Sequence, residues 1–154
     1  MKIFIGADHK GFELKEKLKT WLLENDNVFT DVGAESFDQR DDYPIYAQRV
    51  AQNVAESWNR GEEDTLGIVI CGSGVGVDIV ANKFDGIRAG LGINSEQVKS
   101  AKHDDNINVL AIAADETEEG LARDMVKNFI ETEFESIDRR NRRLNEIKNI
   151  EEDN

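Results

Sequence analysis

Five short apolar runs, KIFIGA, NVFTDV, LGIVIC, IRAGLGI and NVLAIAA, alternate with longer segments whose apolar residues return at helical spacing. This alternation constrains the chain most, because parallel strands need long crossover connections and helices supply them. Leu14, Leu18, Trp21 and Leu22 share one helical face; so do Tyr46, Val50, Val54 and Trp58, and later Leu121, Met125 and Phe129. Such stripes read as core surface rather than as cofactor contacts. The only proline, Pro44, stands where the second helix begins, and its fixed φ suits that place. A charged tail from Asp138 to Asn154 reads as a helix with a frayed end.

At 154 residues the chain is long enough for a sizeable core and too short for two ordinary domains, so residues 1–154 are expected to form one. The expected architecture is α/β: a Rossmann-like three-layer αβα sandwich around a five-stranded parallel sheet, closed by a C-terminal helix. Right-handed crossovers leave few strand orders, and the commonest at this size is 2-1-3-4-5. Strands one and three are neighbours in that order. Open α/β sheets bind ligands outside the carboxyl ends of their strands, at such a switch point, and the residues there are ADHKG and CGSGVG. Asp8, His9 and Cys71 are therefore expected to face one crevice.

Charge narrows the partners. With 19 basic and 32 acidic residues the net charge is -13, which disfavours nucleic acid and anionic membranes, since both reward a basic surface. No apolar stretch approaches the roughly 20 residues of a spanning helix, and MKIFIGADHKGF lacks the apolar core of a signal peptide. A cytoplasmic location is the expectation. The single cysteine cannot form an intramolecular disulfide, so Cys71 reads as a free thiol.

Gly72, Gly74 and Gly76 follow that thiol and permit a tight strand-to-helix turn with uncovered amides, a cradle for an oxyanion. A dinucleotide fingerprint would need glycine at Val77, and a phosphate loop would need a lysine before Lys83, so nucleotide binding is weakly supported. A thiol beside a helix N-terminus is favoured as thiolate, which makes Cys71 a candidate base or nucleophile; a small buried strand end is the alternative. Ser73 suits either a helix cap or a ligand contact. Near the end of the chain, DRRNRRLNEI places Arg139, Arg140, Arg142 and Arg143 within five positions of an otherwise acidic protein. Arg139 and Arg143 lie one helical turn apart and together suit a phosphate.

These segments resemble the sugar-phosphate isomerases that comprise type B ribose-5-phosphate isomerases and galactose-6-phosphate isomerase subunits. The resemblance rests on IGADHKGFELK at 5–15, DYPIYAQRVA at 42–51, GIVICGSGVGVDIVANKFDGIRA at 67–89, NVLAIA at 108–113 and the terminal arginines. It implies aldose–ketose isomerisation of a phosphorylated sugar without metal or organic cofactor, in a homodimer with shared active sites, or a homotetramer. It further implies Cys71, Ser73 and His103 as catalytic residues. Substrate binding would fall to Asp8, His9, Tyr43, Gly72, Gly74, Val75, Gly76, Asp105, Arg139 and Arg143.

Two segments depart from the family pattern. The family commonly has His-Asn-Asp before the fifth strand, whose His helps open the sugar ring, and this chain reads KHDDNINVL. Either Asp104 takes the His position, or a one-residue insertion restores it to His103. In FESIDRRNRRL the family more often has glycines and then Arg-His. One inserted residue makes Arg139 and Arg143 the phosphate ligands, whereas without it Arg142 is the only arginine at the two positions.

Overall fold

The computed structural model describes residues 1–153; Asn154, the last residue of the tail read as helical, lies outside them. In chain order the elements are β1 (Lys2–Ala7), α1 (Phe12–Glu24), β2 (Phe29–Asp31), α2 (Tyr43–Asn59), β3 (Thr65–Cys71), α3 (Val75–Ala81), β4 (Ala89–Leu91), α4 (Ser95–Asp105), β5 (Val109–Ala113), α5 (Glu119–Glu131) and α6 (Asp138–Glu152). All five apolar runs contain a strand, all pairings are parallel, and Pro44 lies in the first turn of α2.

The strand order is β2-β1-β3-β5-β4, not the expected 2-1-3-4-5. The last two strands exchange places for a reason visible in their composition. β5, VLAIA, is buried at every position and suits a place with neighbours on both sides; β4, AGL, has three half-buried residues and suits an edge. The connection through α3 therefore steps over the position that β5 later fills.

One face of the sheet packs Leu14, Leu18 and Leu22 of α1, Val98 of α4 and Met125 and Phe129 of α5 against Ile3, Ile5, Ile68, Ile70, Leu110 and Ile112. The other packs Ala47, Val50 and Val54 of α2 and Val77 and Ala81 of α3 against Phe4, Val69, Val109 and Ala111. The predicted helical stripes form these two cores, with Trp21, Trp58 and Leu121 at their margins; Tyr46, expected on the second stripe, is half-buried outside both, beside Asp41. Each fully buried large side chain contributes about 1.5–3 kcal/mol by leaving water.

Lys15 lies on the same stripe as Leu18 and Leu22, and its side chain is wholly buried. Its ammonium donates to Asp31 Oδ2 at 2.7 Å and to the Ala34 carbonyl at 2.6 Å, tying α1 to β2 and the loop that follows. In α6 only Arg140 is buried, paired with Asp104 of α4 and with Glu135. That arginine clamps the last helix to the end of α4. Among the described residues no helix is long and apolar enough to cross a membrane.

Candidate active site

β1 and β3 run side by side with Ala7 opposite Ile70, so one further step sets Asp8 beside Cys71, at a strand spacing of about 4.8 Å. Both residues are buried, Asp8 4% and Cys71 5% exposed. Asp8 Oδ1 accepts from the amides of Lys10 and Gly11 at 3.0 and 3.1 Å, forming the turn that leads into α1. Burial pushes its carboxyl above the usual carboxylate range, against the hydrogen bond from Gly11.

The glycines after Cys71 are required by close approach. Gly74 takes φ +71°, and a Cβ there would lie 2.9 Å from the Ala113 amide and 2.5 Å from Leu91. The loop is thereby pressed onto the end of β5. A Cβ at Gly76 would lie 2.7 Å from the Tyr43 ring, so Tyr43 rests directly on the loop. A Cβ on Gly72 would meet the Asp115 carboxylate at 2.7 Å. Ser73 Oγ accepts a long hydrogen bond, 3.4 Å, from the Val75 amide, and its exposed side chain caps the turn. Val75 and Gly76 open α3, where first-turn amides have no intrahelical acceptor.

His9 stands at the rim. Its Nδ1 is 2.7 Å from Asp41 Oδ1, which also accepts the His9 amide at 2.9 Å. The hydrogen bond to Asp41 raises the imidazole above its ordinary value of 6.5; partial burial opposes and Asp8 adds to the rise. Asp8, His9 and Asp41 place potential donor atoms within 4.8 Å of one another. Because His9 Nδ1 and Asp41 Oδ1 are engaged with each other, this trio reads as a held histidine rather than a ligand set.

The other expected site residues lie at the opposite end of the sheet. α4 starts beyond the carboxyl end of β4 and its 11 residues descend about 16 Å, so His103 and Asp105 sit near where β5 begins. Cys71 pairs with Ala113 at the far end of that strand. One chain therefore holds two separated groups: Asp8, His9, Tyr43, Cys71 and the loop from Gly72 to Gly76 at one end; His103, Asp105, Arg139 and Arg143 at the other.

At that second end the arginines divide by their partners. Arg140 is consumed in the clamp and Arg142 reaches Glu146 at 3.9 Å. Arg139 and Arg143 are exposed, one turn apart, and among the described residues neither forms an ion pair. His103 and Asp104 do not occupy equivalent positions. Asp104 Oδ1 is bound by His103 Nδ1 at 2.7 Å and by Arg140; the His103 hydrogen bond, then Arg140, hold its carboxyl below the usual range. Among the described residues nothing hydrogen-bonds His103 Nε2, and the ring lies beside a cleft lined by Lys99, Asn128, Thr132 and Phe134.

Asp41, Arg140 and Lys15 carry site geometry that was not predicted. Lys15 left a signal, a charge on an apolar stripe. Asp41 left none, because it lies in an irregular loop where acidic residues usually face water.

The chain is similar along nearly its whole length to known proteins. A family model described as ribose/galactose isomerase matches residues 3–147. Ribose-5-phosphate isomerase B of Escherichia coli is 37% identical over 151 residues, 98% of this chain and 97% of that one. The crystal structure of ribose-5-phosphate isomerase B from Mycoplasma genitalium with bound ribulose-5-phosphate superposes with a TM-score of 0.92 at 34% identity, covering 99% of this chain and 97% of the other. That of Clostridium thermocellum ribose-5-phosphate isomerase B gives 0.88 at 35% identity and 99% of both chains.

Proposed function

The chain belongs to the ribose/galactose isomerase family and is a sugar phosphate isomerase; on that premise we propose that it interconverts ribose 5-phosphate and ribulose 5-phosphate through an enediolate, with Cys71 as the base. The observation that carries the five-carbon reading is the match, over 99% of the chain, to a relative holding ribulose 5-phosphate. Cys71 removes the proton from the carbon next to the carbonyl and returns it to the neighbouring carbon. Ser73 and the amides between Gly72 and Gly76 bind the oxygens as they become negative, the contribution expected to lower such a barrier most. Asp8 and His9 bind hydroxyls or phosphate, and Tyr43 with Val75 lines the pocket.

His103 opens the sugar ring, Asp105 contacts the substrate, and Arg139 and Arg143 hold the phosphate. These four lie too far from Cys71 in one chain, so the working unit is a homodimer in which the second group of one copy completes the first group of the other. Three exposed apolar side chains beside the glycine loop, Ile45, Val75 and Ile79, support such a contact at 48, 46 and 53% exposure. The chemistry is tested by NMR in deuterated water with ribose 5-phosphate, galactose 6-phosphate and allose 6-phosphate in parallel. Conversion of ribose 5-phosphate with deuterium entering the product, and its loss in Cys71→Ala, is expected. Preference for a six-carbon sugar refutes the substrate, and a fully active Cys71→Ala refutes the base.

A further inference from the structure

The loop from residue 32 to 42 between β2 and α2 holds one buried carboxylate to which the isomerase reading gives no role. The Asp41 side chain is only 6% exposed, and one of its oxygens, Oδ1, accepts from both the backbone amide and the ring of His9. A carboxylate oxygen can only accept, so Nδ1 of His9 carries a proton and the neutral ring keeps its lone pair on Nε2. The second oxygen, Oδ2, is buried without a hydrogen-bond partner among the described residues. Within hydrogen-bonding geometry, His9 is the partner that Asp41 holds among the described residues. Phe37 meets the His9 ring edge-on, with centroids 6.4 Å apart and planes at 85°, and Phe37 in turn packs on Phe12.

We propose that Asp41 is a positioning residue for the isomerase reaction: it fixes the plane and the tautomer of His9 so that Nε2 is the atom offered to the sugar phosphate. This rests on the reading of His9 as a substrate ligand. Two carboxylates face the ring, Asp41 from the loop and Asp8 from the end of β1; the nearby Lys10 is engaged with Asp115 at 3.7 Å. Tyr46 of α2 addresses the same Asp41 carboxylate, its hydroxyl pushed up by burial and by Asp41. With the Asp41 hydrogen bond raising His9, the ring keeps a second proton over more of the neutral range. Nε2–H then donates to an anionic or hydroxyl oxygen, a charge-assisted bond of the stronger kind.

The chain has two histidines, so 15N spectra of ring-labelled protein resolve His9 once a His103→Gln sample fixes the assignment. In the wild type the neutral form is expected as the Nδ1–H tautomer, with a midpoint above 6.5. Asp41→Asn keeps an acceptor and removes the charge. Its His9 midpoint is expected to fall toward 6.5, and KM for ribose 5-phosphate at pH 7.5 to rise on the order of tenfold with kcat largely retained. The KM difference should close as the pH drops below the new midpoint. A packing defect instead raises KM equally at every pH and leaves the midpoint in place, which overturns the proposal. So does a neutral Nε2–H tautomer in the wild type, a result independent of whether the variant folds. A midpoint that moves while KM does not removes His9 from substrate contact. If the wild type does not turn over ribose 5-phosphate, the substrate reading has failed and the spectra still decide the Asp41–His9 pair.

Discussion

Replacing Gly74 and Gly76 in turn by alanine separates what the glycine loop does for the fold from what it does for the site. At Gly74 the new Cβ would sit 2.9 Å from the Ala113 amide and 3.0 Å from the Ile112 carbonyl carbon, at φ +71°. The left-handed backbone costs about 1–2 kcal/mol for a residue with a Cβ, and forcing β5 aside adds about 1–3. The sum is roughly 3 kcal/mol, or a fall in Tm of roughly 6–12 °C at this chain length. At Gly76 the nearest atoms in the way all belong to Tyr43, a residue 38% exposed and able to swing outward. Gly76 lies within α3, where alanine is the better helix former by about 0.8–1 kcal/mol. Its alanine variant is therefore expected to melt within a few degrees of wild type, yet to lose isomerase activity because Tyr43 no longer lines the pocket. Thermal melts and kcat/KM on the two variants make the comparison. Equal destabilisation by both, or full activity in Gly76→Ala, would falsify this division of the loop.

Two further outcomes follow from buried lysines. Lys15→Met leaves the Ala34 carbonyl without its donor and Asp31 with Lys19 as its remaining lysine partner, so a loss of about 3 kcal/mol is expected in urea unfolding. Burial pushes the Asp31 carboxyl up, but hydrogen bonds from Lys15 and Lys19 outweigh it and hold the group low. Its stabilising effect is therefore present above pH 3.8 and fades as pH falls below that, and Lys15→Met should flatten this acid limb. Lys102 behaves oppositely: burial, helped by Arg88, lowers its ammonium from 10.5 to about 8. Between those values the unfolded chain binds more protons, so stability rises with pH, by roughly 3 kcal/mol over the interval. Urea midpoints of wild type minus Lys102→Met should show that rise, and a difference that stays flat from pH 7.5 to 10.5 contradicts it.

Much of this molecule could be read from its residues because local patterning determines local structure. The strands lie where apolar runs lie, the helical stripes became the two cores, and Cys71 and Asp8 meet because adjacent parallel strands end together. Strand order was not legible at the β4–β5 end. It depends on which strand can be buried on both sides, and the apolar run IRAGLGI promised more strand than the three residues Ala89–Leu91 deliver. The arginine cluster shows a similar limit. Four like residues in sequence became a buried clamp, Arg140, an exposed partner of Glu146, Arg142, and an exposed pair, Arg139 and Arg143, a division set by where Asp104, Glu135 and Glu146 come to rest. Asp41 was hidden altogether, since its partner His9 is 32 positions away.

The most direct test of a site shared between two copies is complementation. Cys71→Ala lacks the base, and the double variant Arg139→Ala with Arg143→Ala lacks the phosphate ligands; each alone should be nearly inactive on ribose 5-phosphate. In a freely exchanging equimolar mixture half the dimers are mixed, and each mixed dimer has one intact site, so activity should return to about a quarter of wild type. Native mass spectrometry confirms that mixed dimers have formed. Recovery near that level is the predicted result; mixed dimers that remain as inactive as their parents would contradict a site completed by the second copy.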